Sequence, residues 1–114
     1  MAVRAPTLYL LCGSASTSKS VLIESIKDEF GVEVISIDGV NARRGYALGD
    51  PRIDDSVRTA SVEVVLFEII TAGMSGQSLA IDDSLGNQSV TDKYIANAKG
   101  AGMKVELLMQ PENS

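Results

Sequence analysis

The sequence contains no histidine, no tryptophan and one cysteine among its 114 residues. Without histidine, the protein lacks the commonest general base and the commonest ligand for transition metals. Cys12 alone cannot form an internal disulfide, which is typical of a reducing compartment, so we predict a cytoplasmic protein. The apolar run Leu8–Cys12 is too short for a signal peptide core or for a membrane helix of about 18 residues. We therefore expect no membrane partner.

Positive charge is also scarce. The chain has 10 lysines and arginines against 15 aspartates and glutamates, which leaves a net charge of −5. A groove for nucleic acid needs a concentrated positive field, so a nucleic-acid partner is disfavoured. With 45% hydrophobic residues, residues 1–114 can form one domain around one core.

Strand-like and helix-like segments alternate along the chain. We predict strands at Thr7–Cys12, Val32–Ile37, Ser78–Ile81 and Met103–Met109. We predict helices at 19–30, 54–72 and 89–101. The second of these helices would be capped by Asp54-Asp55-Ser56 and would run to about Ala72, where Gly73 and Gly76 end it. The polar segment Asn41–Pro51 is predicted as a loop. Strands separated by helices pair in parallel through right-handed crossovers, so we expect an α/β fold with helices on both faces of a sheet.

The turn between the first strand and the first helix has the spacing of a phosphate-binding loop. It consists of Gly13, Ser14, Ala15, Ser16, Thr17, Ser18, Lys19 and Ser20. The pattern G-x-x-x-x-G-K-[ST] requires backbone N–H groups and a lysine for phosphates and a hydroxyl for Mg²⁺. Here Ser18 replaces the second glycine, which would cost about 1–2 kcal/mol if that position needed a positive φ. A plain strand–turn–helix junction, with a serine as the helix cap, is the alternative interpretation.

Acidic residues end two of the predicted strands. Asp38 follows the second strand, and Asp82 and Asp83 follow the third. Because the carboxyl ends of parallel strands share one edge, these carboxylates are expected beside Lys19 and Ser20. One can accept a proton from a substrate hydroxyl and another can hold Mg²⁺. Any single aspartate at a strand end can instead be a turn former.

Three segments together resemble P-loop kinases of the polynucleotide-kinase and zeta-toxin-like group. They are Leu10–Ser20, Val34–Asp38 with Arg43, and Leu79–Leu85 followed by Ala98–Glu106. The resemblance implies a three-layer α/β/α fold with a four-stranded parallel sheet of order 2-3-1-4. It also implies ATP and Mg²⁺ as cofactors, and a nucleotide or another small molecule as the substrate.

The resemblance further implies a role for each matched residue. The loop Gly13–Ser20 would bind the ATP phosphates, with Lys19 as the clamp and Ser20 on Mg²⁺ with Asp82 or Asp83. Asp38 would be the catalytic base, and Arg43 would help hold the acceptor.

The chain also departs from that group. Val90, Thr91 and Asp92 stand where arginines are usual, and the chain ends before the lid and the fifth strand of the group. Arginines supply much of the rate in phosphoryl transfer. Two hypotheses therefore stay open: an ATP-dependent kinase, and an inactive relative that serves as a phosphate-binding or assembly module.

Two apolar surfaces predict a homodimer. The segment Val57–Ile70 carries more apolar residues than one helix stripe needs. Without a fifth strand, Met103–Met109 would also be an apolar edge open to pairing with a second copy.

Overall fold

The computed structural model describes residues 5–12, 17–47, 49–83 and 88–109. Its centre is a four-stranded sheet of β1 (Thr7–Cys12), β2 (Glu33–Ser36), β3 (Leu79–Asp83) and β4 (Lys104–Met109). All neighbouring strands are parallel, and the order is β2-β3-β1-β4, which confirms the predicted sheet. The two central strands are built from continuous apolar runs, as expected where both faces of a sheet are covered.

Four helices cover the sheet: α1 (Thr17–Phe30), α2 (Ile37–Arg43), α3 (Asp55–Met74) and α4 (Gln88–Gly100). One core cluster joins Leu8, Leu10, Leu79 and Ile81 of the sheet to buried side chains of α2, α3 and α4. A second cluster on the opposite face joins Leu11 and Ala80 to Ile26 of α1. The side chains of β1 and β3 alternate between these clusters, because successive residues of a strand point to opposite faces. The predicted three layers are confirmed.

Helix α2 corrects the prediction of a loop over Asn41–Pro51. The helix includes Asn41 and ends at Arg43, and its N-cap is Ser36, whose hydroxyl accepts a hydrogen bond from the Gly39 N–H. Ile37, Val40 and Asn41 are buried against the rest of the fold. This tertiary packing stabilises a helix of seven residues that its own sequence, with Gly39 in the middle, does not favour.

Gly73 has a different role from the predicted one. It lies inside α3, which continues to Met74, and does not end the helix. A Cβ at this position would lie 2.6 Å from Cβ of Ala101 and 2.9 Å from its carbonyl oxygen. The glycine therefore allows α3 to pack closely against the end of α4.

None of the helices in the described ranges is both long enough and apolar enough to cross a bilayer.

Candidate active site

The predicted site segments meet at the carboxyl edge of the sheet. In the sheet register, Asp82 of β3 pairs with Leu11 of β1 on one side and with Ser36 of β2 on the other. The segments that follow β1 and β2 therefore leave the sheet on either side of Asp82. In parallel α/β folds this edge is where ligands bind.

Lys19 and Asp82 form an ion pair at this edge. The Lys19 Nζ atom lies 2.7 Å from Oδ1 of Asp82, and only 3% of the lysine side chain is exposed, against 27% of the aspartate. Helix α1 places the lysine in its first turn, directly after the loop that follows β1. Burial of an ammonium group costs several kcal/mol, so a buried lysine needs a countercharge close by. The site thus holds a positive charge at the edge of the central strands.

The phosphate loop lies only partly within the described residues. Gly13, Ser14, Ala15 and Ser16 fall outside them, as do the side chains of Thr17 and Ser18. Helix α1 begins at Thr17, two residues before the predicted start, so Ser18 belongs to a helix. No non-glycine residue in the described ranges has a positive φ. The backbone of Ser18 therefore has no positive φ, and the strain predicted for a serine at this position is absent.

Two further residues predicted to bind Mg²⁺ are placed at the same edge. Ser20 is exposed in the first turn of α1, and Asp83 is the last residue of β3, with its side chain outside the described part of the chain. Across the described ranges, no three acidic or cysteine side chains converge into a metal cage. Mg²⁺ sites of nucleotide-binding proteins do not need one, because substrate phosphates supply much of the coordination.

Asp38 lines a groove beside this edge. It is exposed in the first turn of α2, directly after β2. The groove has a volume of about 250 Å³, and its lining residues are Ile37, Asp38, Asn41, Gly49, Asp50, Ile53 and Arg58. The predicted base thus borders a space for a small molecule.

Arg43 lies apart from that groove. Its guanidinium group binds the carboxylate of Glu68 in α3, with Nη2 and Oε1 3.2 Å apart. It lines a second groove, along β2, together with Gly39 and Val40. The structure therefore brings Asp38 together with Arg58, and it brings Lys19 together with Asp82, while Arg43 faces another surface.

Asp50 and Arg52 form an ion pair in the loop that closes the Asp38 groove. The Arg52 guanidinium lies 2.8 Å from Oδ2 of Asp50, and this hydrogen bond lowers the pKa of Asp50 and raises the pKa of Arg52. Tyr46 is half-buried, and its ring centroid lies 5.5 Å from the guanidinium carbon of Arg44 and 5.1 Å from that of Arg52. Tyr46 therefore packs within its own loop.

Sequence patterns did not identify Asn41, Asp50 and Arg58 as residues of one site. Asn41 and Asp50 belong to the segment Asn41–Pro51, which the sequence predicts as a loop. The three residues are separated by up to 17 positions and belong to no motif, so only the packing of α2 beside α3 reveals their proximity.

Comparisons with known proteins identify the fold. No family model matches the chain, and no curated protein matches it. Among solved structures, a gluconokinase from Sinorhizobium meliloti 1021 superposes with a TM-score of 0.61 over 91% of this chain, at 21% identity. A chain of the Pnkp1/Rnl/Hen1 complex gives 0.71 over 93%, at 13% identity, and the APS kinase CysC of Mycobacterium tuberculosis gives 0.58 over 96%, at 16% identity.

This chain covers only part of the length of each of these proteins. It spans 58% of the gluconokinase, 36% of the chain in the Pnkp1/Rnl/Hen1 complex and 82% of the APS kinase. At such identities the likeness establishes the fold alone. The protein has the α/β fold of P-loop kinases.

Proposed function

We propose that this protein binds ATP at the carboxyl edge of its sheet and transfers the terminal phosphoryl group to a hydroxyl of a small molecule or nucleotide. The observation that carries the proposal is the buried Lys19–Asp82 ion pair at that edge. A lysine held at the start of a helix, with its charge facing a carboxylate, can exchange that carboxylate for phosphate oxygens. The fold of P-loop kinases and the spacing from Gly13 to Ser20 support the same function.

The residues of the donor side fit ATP with Mg²⁺. Lys19 would bind the outer phosphates, and the backbone N–H groups of Gly13–Ser20 would surround them. The hydroxyl of Ser20, with Asp82 or Asp83, would hold the metal ion. When bound, Mg²⁺ neutralises charge that develops on the phosphoryl group. Asp82 is suited to this role because 27% of its side chain remains exposed.

Asp38 would act on the acceptor. Its carboxylate would orient the acceptor hydroxyl and take up its proton. A bond would form between the hydroxyl oxygen and the terminal phosphorus of ATP, and the bond from that phosphorus to the bridging oxygen would break. The products would be a phosphate ester and ADP. Arg43 would contact the acceptor only after releasing Glu68.

Substitution of the base provides the test of this proposal. We expect Asp38→Asn to bind MgATP as the wild type does, because the side chain lies on the acceptor side. Its transfer rate should fall by about 10²–10⁴-fold, the usual contribution of general base catalysis. Isothermal titration calorimetry measures the binding, and ADP release against a panel of hydroxyl compounds measures the transfer.

Asp28→Asn is the matched control, since Asp28 is exposed near the end of α1. It should retain both properties. A wild-type protein that gives no heat with MgATP would refute the proposed function, and so would an Asp38→Asn variant with full activity.

A second candidate function is a relative without catalysis that still binds phosphate. Its support is the Arg43–Glu68 ion pair, which occupies the arginine predicted to hold the acceptor. Val90, Thr91 and Asp92, near the start of α4, also supply no arginine. MgATP binding without transfer to any acceptor of the panel would favour this function.

We also propose a homodimer formed through α3. Its exposed apolar side chains are Val64, Phe67, Ile70 and Met74, and Phe67 and Met74 keep 70% and 79% of their surface exposed. We expect Phe67→Ser to shift the mass measured by light scattering from dimer to monomer, because the substitution removes apolar area from the centre of the stripe. A wild-type protein that remains monomeric at high concentration would contradict the dimer.

A further inference from the structure

Arg58 contributes a positive charge to the groove of Asp38. It lies in the first turn of α3, and 42% of its side chain is exposed. Its partner is Asp55, 3.0 Å away on the same helix, whose carboxylate is fully exposed. Exposed ion pairs of this kind are weak, so the guanidinium can exchange Asp55 for an anionic ligand.

Asn41 contributes a fixed hydrogen-bond donor to the same groove. Only 2% of this residue is exposed. Arg44 Nη1 donates to the Ser61 hydroxyl at 2.7 Å, and that hydroxyl donates in turn to Oδ1 of Asn41. This chain of hydrogen bonds fixes the orientation of the amide. Because its Oδ1 accepts from Ser61, the amide can turn Nδ2, which carries the N–H donors, toward a ligand in the groove that Asn41 lines.

The other side chains that line the groove are either neutralised or apolar. The carboxylate of Asp50 is neutralised by Arg52, which lies 2.8 Å away. Ile37 and Ile53 supply apolar walls. What remains is the carboxylate of Asp38 and the guanidinium of Arg58. A volume of about 250 Å³ equals the share of about eight water molecules in the liquid, which suits a small molecule.

We propose that the acceptor is a small hydroxy acid, whose hydroxyl group faces Asp38 and whose carboxylate or phosphate group binds Arg58. The planar guanidinium group can bind either anion through two parallel hydrogen bonds. Nδ2 of Asn41 donates to a further oxygen of the ligand. The inference rests on the proposed function for the transfer step, but the binding of the acid itself does not require ATP.

Nuclear magnetic resonance titrations of the ¹⁵N-labelled full chain test this site without ATP. Two matched pairs of probes distinguish a carboxylate from a phosphate. Gluconate is compared with the neutral glucitol, and glucose 6-phosphate is compared with glucose. We expect one acid of these pairs, and neither neutral partner, to shift the side-chain amide signals of Asn41 and the backbone signals of Asp50 and Ile53. The acid that binds tells whether Arg58 recognises a carboxylate or a phosphate.

Substitution of the arginine tests its role. Arg58→Gln should weaken binding of that acid by about tenfold or more, because a charge-assisted hydrogen bond is lost. Arg58→Lys should be intermediate, since it keeps the charge but not the paired geometry. Lys27→Gln, with the same change of charge at the far end of α1, should bind as the wild type does.

Two results would overturn the inference. One is that neither acid binds more tightly than its neutral partner; the other is that Arg58→Gln binds the acid as tightly as the wild type. Calorimetry with MgATP distinguishes a failure of the acceptor site from a failure of the proposed function. Heat with MgATP but no preference for acids refutes only the acceptor site. Binding of an acid at Arg58 without heat from MgATP refutes only the proposed function.

Discussion

Replacement of Lys19 by methionine is expected to weaken MgATP binding by at least about 100-fold, which equals about 2.7 kcal/mol. Methionine has a stem of similar length that can occupy the same buried position, so the substitution mainly removes the ammonium charge. Hydrogen bonds from a charged donor contribute about 1.5–3 kcal/mol each, and the lysine would make more than one to the outer phosphates. Calorimetric titration of both proteins with MgATP measures the difference.

The control for this experiment lies on the same helix. Lys27 in the last turn of α1 has 47% of its side chain exposed, and its Nζ lies 3.8 Å from Glu24. Lys27→Met removes an equal charge and should leave the affinity for MgATP unchanged. If Lys19→Met binds MgATP within about threefold of the wild type, the lysine is a structural residue and the edge is not a phosphate site.

Substitution of Asp82 by asparagine is expected to have the largest effect on folding stability. It removes the carboxylate that lies 2.7 Å from the buried ammonium of Lys19. Loss of one partner of a fully buried ion pair costs about 3–5 kcal/mol, and the 27% exposure of Asp82 reduces the expected loss to about 2–3 kcal/mol. Urea unfolding of the wild type and the variant measures the free energy of unfolding.

Two further variants test whether the loss of stability comes from the ion pair between Lys19 and Asp82. Asp28→Asn changes an exposed carboxylate in the same way and should alter stability by less than about 0.5 kcal/mol. The double variant Lys19→Met, Asp82→Asn contains neither charge, so it should be more stable than Asp82→Asn alone. If the two single changes are simply additive, Lys19 and Asp82 do not stabilise each other.

Local patterns predicted most of the secondary structure. Helical spacing of apolar residues identified α1, α3 and α4 to within two residues of their observed limits, and apolar runs identified all four strands. The failure was α2, because Gly39 and the polar residues after it are typical of a loop. Its stability comes from Ile37, Val40 and Asn41, which are buried by residues distant in the sequence.

The contact between Lys19 and Asp82 was predictable from the sequence, and the surroundings of Asp38 were not. Lys19 and Asp82 were predicted to meet because each follows or ends a parallel strand, and the structure places them 2.7 Å apart. The resemblance to the kinase group implied that Arg43 would hold the acceptor on which Asp38 acts. In the structure Arg43 pairs with Glu68, since residues five apart on a helix point in different directions.

The amino-acid sequence by itself determined the alternation of strands and helices and the position of Lys19 at the edge of the sheet. These properties follow from the periodicity of neighbouring residues and from the geometry shared by all parallel α/β sheets. Only the tertiary structure decided that Lys19 is buried against Asp82, that Ser18 is helical, and that Arg58 and Asn41 join Asp38 in one groove. The groove depends on how α2 packs against α3, and the burial of Lys19 depends on how α1 packs on the sheet. Both are set by contacts between residues far apart in the chain.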